Sequence, residues 1–201
     1  MRILNPAVKL CINEGELISL DIGCGPKPIS KCFGVDRMLF PNLDIQADLN
    51  QPLDDLPDSC VQKIFSYHTL EHVENVVGLI EEFYRILCPG GTLDVYVPHF
   101  SNPYYYSDIT HRQPFGLYSM YYFVDEKDQP SRKVPTFYSD ARFRVLDIHV
   151  TLLDRKWIDR LAFPLMETVI NSSRVWQDRY ERRLCRIWPA ENIRYLMTCV
   201  K

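Results

Sequence analysis

The sequence predicts an α/β fold whose sheet is mostly parallel. Short apolar runs that suit buried strands alternate along the chain with segments of helical periodicity. The strand predicted over 16–23 ends in a glycine turn, and the helix predicted after residue 69 ends at a Pro-Gly-Gly stop. Strands joined by crossover helices run parallel, so this alternation favours a parallel sheet.

Composition narrows the class of protein. The 201 residues, 46% of them hydrophobic, predict a single domain over 1–201 with a substantial core. A formal net charge of −3 argues against duplex DNA as a partner, and no nucleic acid is expected. Seven scattered cysteines without a Cys-x-x-Cys pair indicate reduced thiols, and no apolar run suits a signal peptide or a membrane span. We therefore expect a cytoplasmic protein.

The predicted elements follow from hydrophobic periodicity. Apolar residues recur at steps of three and four from Leu70 to Leu87, which predicts one amphipathic helix. Residues 155–187 also have a helical pattern, with Pro164 expected to break it. The predicted strands cover 16–23, 33–38, 44–49, 61–68, 92–98, 141–152 and 192–201.

The stretch "DIGCGPKP" at residues 21–28 ends the first predicted strand and indicates a ligand site. In open α/β sheets, ligands bind beyond the carboxyl ends of the strands, where glycines let the backbone come close. One alternative is a dinucleotide, whose fingerprint is Gly-x-Gly-x-x-Gly. Gly23 and Gly25 fit it, but the third glycine position is Pro28, which has no N–H to offer a pyrophosphate.

The other alternative is S-adenosylmethionine. The pattern Asp21-x-Gly23-x-Gly25 resembles the first motif of class I S-adenosylmethionine-dependent methyltransferases. Asp36, at the end of the second predicted strand, matches the acid that holds both ribose hydroxyls in that family. A carboxylate suits this task because it can accept two charge-assisted hydrogen bonds from a diol.

Three further segments carry the same resemblance in the same order. "ADL" at 47–49 is similar to the segment that recognises adenine, and "SYHTLEHV" at 66–73 and "RILCPGG" at 85–91 are similar to the signatures of the fourth strand and the next helix. The resemblance implies S-adenosylmethionine as the cofactor. The cofactor-binding residues that it implies are Asp21, Gly23, Cys24, Gly25, Asp36, Arg37, Asp48, Leu49 and His68.

The resemblance also implies the fold in more detail: a Rossmann-like class I methyltransferase sheet, mostly parallel, with an antiparallel last strand. Two departures from the family are expected. Only eight residues, 26–33, separate the glycine turn from the second strand, so the first helix should shrink to about a turn and leave one sheet face less covered. A helical insertion at 155–187 separates the last two strands, which the family joins by a tight hairpin.

The loop after the fifth strand carries the candidate catalytic residues. In the family this loop overhangs the methyl donor, and here it contains His99 and His111. Either histidine could take a proton from an acceptor hydroxyl, because its ordinary pKa lies near neutrality; the alternative is a pair of surface histidines. His111 is preferred because Asp108, three residues earlier, could orient it. Tyr104, Tyr105 and Tyr106 could stack on an acceptor or pack the loop.

A metal site is not predicted. His68 and His72 are four residues apart and could share one helix face, but no third ligand has a suitable spacing.

The function predicted is methyl transfer from S-adenosylmethionine to an acceptor oxygen, with nitrogen in second place, of a small molecule or glycan intermediate. The loop 108–111 resembles an Asp-Pro-Thr-His loop of a bacterial subgroup associated with cell-surface glycan synthesis. The alternatives are a non-catalytic domain that binds the cofactor, and a Rossmann-type enzyme that uses a nicotinamide or a nucleotide-sugar.

The insertion suggests a charged partner. Residues 155–187 hold eight basic and four acidic side chains, interleaved with tryptophans, in a chain of net negative charge. One interpretation is a solvated helical pair that covers the sheet face left bare by the short first helix. The other is a surface for an anionic or lipid-linked substrate. The sequence predicts no oligomeric state.

Overall fold

A computed structural model describes residues 1–153 and 159–201, except for the side chains of 159–161. The strands are β1 (Arg2–Ile3), β2 (Ile18–Ile22), β3 (Phe33–Asp36), β4 (Ile45–Gln46), β5 (Val61–Tyr67), β6 (Leu87–Pro98), β7 (Phe143–Leu152) and β8 (Ala190–Cys199). The α-helices are α1 (Pro6–Asn13), α2 (Val76–Ile86), α3 (Asp159–Asn171) and α4 (Arg174–Arg183). Short 3₁₀ turns include Leu70–His72 and Ser119–Phe123.

All eight strands form one sheet in the order β1-β4-β3-β2-β5-β6-β8-β7. The neighbours from β4 to β6 are parallel, whereas β8 runs antiparallel to both β6 and β7. The mostly parallel sheet with an antiparallel last strand is thereby confirmed. Since β2, β3 and β5 are parallel, their carboxyl ends meet at one edge of the sheet, where the glycine turn lies.

One face of the sheet carries the core. Alternate residues of β5, β6 and β8, such as Ile64, Val95 and Ile193, are fully buried in one core cluster that also contains apolar side chains of α2. Burying each such side chain stabilises the fold by about 1.5–3 kcal/mol. Helix α2 begins at an Asn75 cap, whose Oδ1 accepts a hydrogen bond from the Gly78 N–H at 3.0 Å.

The opposite face is partly open. Lys63, Phe65 and Tyr67 point to it from β5 and are only half-buried. Next to them, the fully buried Asp94 accepts two hydrogen bonds from the Arg194 guanidinium, at 2.7 and 2.6 Å. The ion pair compensates the buried charge of Asp94, the one charged residue of β6. The half-buried side chains on this face agree with the less covered face that the sequence predicts.

The connection between β2 and β3 contains no helical turn, unlike the sequence prediction. Residues 23–32 are all described and form turns without any helix, so the expected single helical turn does not form. A side chain at Gly34 would lie 2.8 Å from Cys24 Sγ and 2.8 Å from Pro28 Cγ, which shows how closely the turn packs on β3. The turn therefore packs directly on β3, without a helix between them.

The helical insertion lies at the β7 edge of the sheet. Within its described part, α3 continues through Pro164, so the predicted break there is wrong; the chain turns at 172–173 instead. Side chains of both helices bond to the outer edge of β7: Asn171 of α3 to the Val150 N–H and C=O, Glu167 of α3 to the Leu152 N–H, and Gln177 of α4 to the Ile148 C=O. These bonds satisfy an edge strand that would otherwise be free to pair. The insertion thus covers β7, at the far end of the sheet from β3.

Two N-terminal elements were not predicted. Strand β1 extends the sheet beyond β4, and α1 begins at an Asn5 cap followed by Pro6 at the first helical position. In the described ranges, no helix combines the length and apolar character needed to cross a bilayer.

Candidate active site

The glycine turn follows β2 directly. Gly23 has φ +71°, and a Cβ there would lie 2.1 Å from Thr69 Oγ1. Gly25 has φ +58°, yet a Cβ there would meet no atom within 4 Å. Both positions favour glycine because their backbone conformation is left-handed, but the atoms around them differ. Gly23 is packed against the chain after β5, whereas Gly25 faces open space in which a ligand could lie.

Asp36 holds this turn at the end of β3. Its Oδ2 accepts the Gly25 N–H at 3.0 Å, and its Oδ1 accepts the Met38 N–H at 2.8 Å. Each carboxylate oxygen has a second lone pair, so both can still accept a ligand hydroxyl. The backbone bonds fix the orientation of the carboxylate, which suits recognition of a diol.

Asp21 is the buried acid of the site. Its Oδ2 accepts the Ile29 N–H at 2.8 Å, which closes the turn. Burial raises the pKa of Asp21, the bond from Ile29 opposes that shift, and the charge of Asp36 adds to it. A cationic ligand group next to these two acids would offset the cost of their charge.

Cys24 and Arg37, two predicted cofactor-binding residues next to the acids, differ in burial. Cys24 is half-buried, and burial, followed by the charges of Asp21 and Asp36, raises the pKa of its thiol to about 12. The thiol is therefore neutral and acts as a small packing group. The side chain of Arg37 is exposed beside the turn.

The segment after β4 holds the two predicted adenine-recognition residues. Asp48 is exposed, and its Oδ1 accepts the Asn50 N–H at 3.0 Å and Asn50 Nδ2 at 3.2 Å. Leu49 is half-buried and packs against the core. The structure brings this segment to the same sheet edge as Asp36, because β3 and β4 are parallel neighbours.

His68 lies at the end of β5 in a left-handed conformation, with φ +51°. Its ring is exposed and contacts the Tyr96 ring edge-on, with centroids 5.2 Å apart. The next residue, Thr69, donates from Oγ1 towards the Ile22 and Tyr67 carbonyls, at 3.1 and 3.0 Å. Thr69 therefore connects the glycine turn to the segment that follows β5.

His99 is placed away from any open surface. It is fully buried, its Nε2 lies 3.2 Å from Glu181 Oε2, and its Nδ1 accepts the Ser101 N–H at 3.1 Å. Both ring nitrogens have protein partners, so in this arrangement His99 anchors α4 to the end of β6. The structure thus favours His111 over His99 as the residue that meets an acceptor.

His111 is oriented mainly by a backbone carbonyl, and Asp108 is more distant. Its Nδ1 lies 2.9 Å from the Tyr105 carbonyl, and its ring stacks on Tyr105 with centroids 4.7 Å apart. Asp108 Oδ2 lies 3.7 Å from His111 Nε2, and Asp108 Oδ1 accepts hydrogen bonds from the N–H and hydroxyl of Thr110. Those bonds hold the pKa of Asp108 below its usual range. The predicted orienting role of Asp108 on His111 is therefore weaker than the spacing suggested.

The structure adds Glu71 and His72, which the sequence interpretation left as helix-start and packing residues. One ligand atom from each of Glu71, His72 and His111 lies within 4.8 Å of the others. His111 joins them because the Arg112 and Gln113 N–H groups both donate to the Glu71 carbonyl. The adjacent Glu-His pair was the only signal of this cluster in the sequence. The third residue of the cluster is 39 positions further along the chain, too far for a local spacing pattern to reveal it.

Comparisons with known proteins agree with this geometry. Residues 20–95 match the methyltransferase domain family. This segment, less than half of the chain, is therefore similar to a methyltransferase domain. No curated protein matches the chain significantly. Solved structures that share the fold include a SAM-dependent methyltransferase from Archaeoglobus fulgidus, with 17% identity over 96% of this chain and 90% of that one (TM-score 0.55).

Two other structures show the same fold at similar distance. One is a putative methyltransferase from Bacillus halodurans C-125, with 14% identity over 96% of this chain and 99% of that one (TM-score 0.57). The other is a phosphoethanolamine N-methyltransferase from Haemonchus contortus, solved with S-adenosylhomocysteine and phosphomonomethylethanolamine. It has 14% identity over 92% of this chain and 48% of that one (TM-score 0.51).

The match of residues 20–95 to the methyltransferase domain family indicates an enzyme with S-adenosylmethionine as its cofactor. The residues present fit that cofactor: the space beside Gly25 admits a ligand against the backbone, and Asp21 and Asp36 place negative charge beside it. The match over residues 20–95 therefore favours S-adenosylmethionine over the nicotinamide alternative.

Proposed function

We propose that the methyltransferase domain transfers the methyl group to an acceptor oxygen, with nitrogen as second choice, on a small molecule or glycan intermediate. The observation that carries the proposal is the Glu71–His72–His111 cluster, which begins two residues after Thr69 and its contact with Gly23. A hydroxyl acceptor must lose its proton, and side chains that bind or polarise a hydroxyl serve that need. A neutral amine has no such requirement, so the cluster favours oxygen.

The proposed cofactor contacts follow from the site. Asp36 binds the ribose diol, and Gly25 and Asp21 lie against the methionine portion. Asp48 and Leu49 receive the adenine, while Arg37, Cys24 and His68 border the pocket. When bound, S-adenosylmethionine would supply a methyl group activated by a positively charged sulfur that can depart as a neutral thioether, and His111 Nε2 would take the proton of the acceptor hydroxyl. The chain's own task is to align the acceptor and exclude water.

His111 is the proposed catalytic residue, acting on the acceptor hydroxyl through Nε2. That nitrogen is the free one, because Nδ1 is occupied by the Tyr105 carbonyl. Tyr104 and Tyr106, 66% and 71% exposed on the same loop, provide aromatic faces on which a sugar ring could stack. They support, as a proposal, an acceptor from the glycan-synthesis class that the loop 108–111 resembles.

A screen with radiolabelled methyl donor tests the proposal. Glycan intermediates, phenols and amines would be offered as acceptors, with label transfer as the readout. His111→Ala should lower turnover of a hydroxyl acceptor by about 10²–10⁴-fold without changing cofactor affinity. His149→Ala, at an exposed position on β7, is the matched control and should retain full turnover. Label transfer to amines alone would contradict the oxygen proposal.

A further inference from the structure

We propose that Glu71, His72 and His111 bind one divalent transition-metal cation, which leaves a coordination position open. The three residues come from two segments that backbone hydrogen bonds hold together: the 3₁₀ turn Leu70–His72 and the loop after β6. The candidate ligand atoms lie within 4.8 Å of one another, a spacing that a central ion can bridge with small side-chain movements.

The Glu71 carboxylate is the strongest indication. Its side chain is 1% exposed, and neither oxygen has a hydrogen-bond partner in the described part of the chain. His68 Nδ1 lies 3.4 Å from Oε1, outside hydrogen-bonding geometry. An ionised carboxylate buried in this way is costly unless it is paired or coordinates a metal. Coordination of a cation supplies the missing partner.

The His111 imidazole is arranged as metal-bound histidines usually are. A carbonyl can only accept a hydrogen bond, so the contact with Tyr105 places the proton of His111 on Nδ1 and leaves the Nε2 lone pair free. In metal sites, the second ring nitrogen commonly donates to a carbonyl or carboxylate in this manner. His111 Nε2 is therefore ready to bind an ion.

His72 is oriented by a similar relay. Thr110 Oγ1 donates its only proton to Asp108 Oδ1, at 2.5 Å, so the same hydroxyl can only accept from His72 Nδ1, 3.0 Å away. The Nε2 of His72 consequently keeps its lone pair. The chain Asp108–Thr110–His72 forms an outer shell whose carboxylate adds negative charge beside the site.

The donor set selects the class of cation. Two imidazole nitrogens with one carboxylate oxygen suit Zn²⁺ and related transition ions, whereas Mg²⁺ and Ca²⁺ prefer oxygen ligands. Three protein ligands leave a position for water or an acceptor oxygen. The role of the ion in the reaction rests on the proposed oxygen acceptor: the ion lowers the pKa of the bound hydroxyl, and His111 Nε2 then binds the ion in place of acting on the hydroxyl directly.

Direct metal binding is the test. Wild-type protein freed of metal by a chelator would be titrated with Zn²⁺ by calorimetry and with Co²⁺ by visible absorption. We expect one ion per chain, and affinity at least about 100-fold lower in Glu71→Gln and in His111→Ala, because even loss of an outer-shell contact costs about 10–100-fold. Thr110→Val, an exposed outer-shell change, should cost that smaller factor. His149→Ala should bind as wild type does.

The outcomes separate this proposal from the proposed function. The metal site is overturned if the protein shows no stoichiometric binding. It is also overturned if Glu71→Gln and Thr110→Val both leave the metal affinity unchanged. Unchanged turnover of a hydroxyl acceptor in chelator-treated protein overturns the role of the ion in the reaction but leaves the oxygen acceptor standing. Stoichiometric binding that these variants weaken, with transfer only to amines, supports the site and overturns the oxygen acceptor. If His111→Ala does not fold, Thr110→Val decides.

Discussion

Gly25 and Gly15 provide a matched pair of residues with similar backbone and different surroundings. Both have positive φ, +58° and +76°, and a Cβ at either would meet no atom within 4 Å. Alanine in this region costs about 1–2 kcal/mol of stability at each position. Gly25 lies at the proposed cofactor surface, whereas Gly15 ends α1 by donating its N–H to the Ile12 carbonyl.

We therefore predict that Gly25→Ala and Gly15→Ala lose similar unfolding free energy, about 1–2 kcal/mol each in chemical denaturation. Only Gly25→Ala should lower the affinity for S-adenosylmethionine, because its methyl group fills the space that the cofactor needs. Calorimetry compares the two affinities. Equal cofactor binding by both variants would show that the open space beside Gly25 is not the cofactor site.

The sequence predicts the position of some site residues but not of others. Asp36 was predictable because it ends a strand that must lie beside β2, and the parallel register fixes its neighbours. Glu71 was not, because an acid at the start of a helical segment usually faces solvent. Its burial results from the loop that brings His111 and Arg112 against it, and that long-range contact has no local signal.

The helices α3 and α4 present both charge and exposed apolar area. Leu165 and Val169 are exposed one turn apart on α3, and Val175 and Trp176 are exposed on α4. Arg179 stacks on the Trp176 ring at 5.0 Å, and Arg182 pairs with Asp178 at 2.7 Å. Exposed ion pairs contribute little to stability, so these arginines remain available to an anionic partner. The predicted cations Arg155 and Lys156 lie outside the described residues.

For this element we predict binding to vesicles that contain anionic lipid at low ionic strength, which supports an anionic or lipid-linked substrate. Binding should fade as salt screens the charges and should weaken in the double variant Arg182→Glu, Arg183→Glu. The control, Arg2→Glu with Lys9→Glu, changes net charge equally at the opposite edge of the sheet. Co-sedimentation measures the bound fraction. No binding at low salt, or equal loss in both double variants, would leave α3 and α4 with a structural role alone.

At the level of elements, hydrophobic periodicity found the strands from β2 onward and helix α2, although α2 begins at Val76 and only a 3₁₀ turn forms at Leu70, where the helix was predicted to begin. It failed where packing decided the outcome. The turn 23–32 has no helix because Pro28 and Cys24 pack directly on Gly34, and α3 tolerates Pro164. Strand β1 has two residues, too short to show an alternating pattern, and forms only because β4 offers a free edge.

On the scale of the whole molecule, the order of the strands places the proposed cofactor and metal-binding residues at the carboxyl ends of the parallel strands. β2, β3 and β5 end there, and the chain after β5 meets the loop after β6 through the Glu71 carbonyl. The α/β class and the antiparallel last strand were predicted from the sequence and its resemblance, and both are confirmed. A single domain over 1–201 and a cytoplasmic location stay predictions.

The central claim is that this edge binds S-adenosylmethionine with Asp36 on the ribose. Calorimetric titration of the wild type, Asp36→Ala and the exposed control Asp55→Ala tests it most directly. We predict that Asp36→Ala weakens binding by about 1.5–3 kcal/mol, the scale of hydrogen bonds to a charged group, while Asp55→Ala binds as the wild type does. Unchanged affinity in Asp36→Ala, or a wild type that binds NAD and not S-adenosylmethionine, would contradict the account.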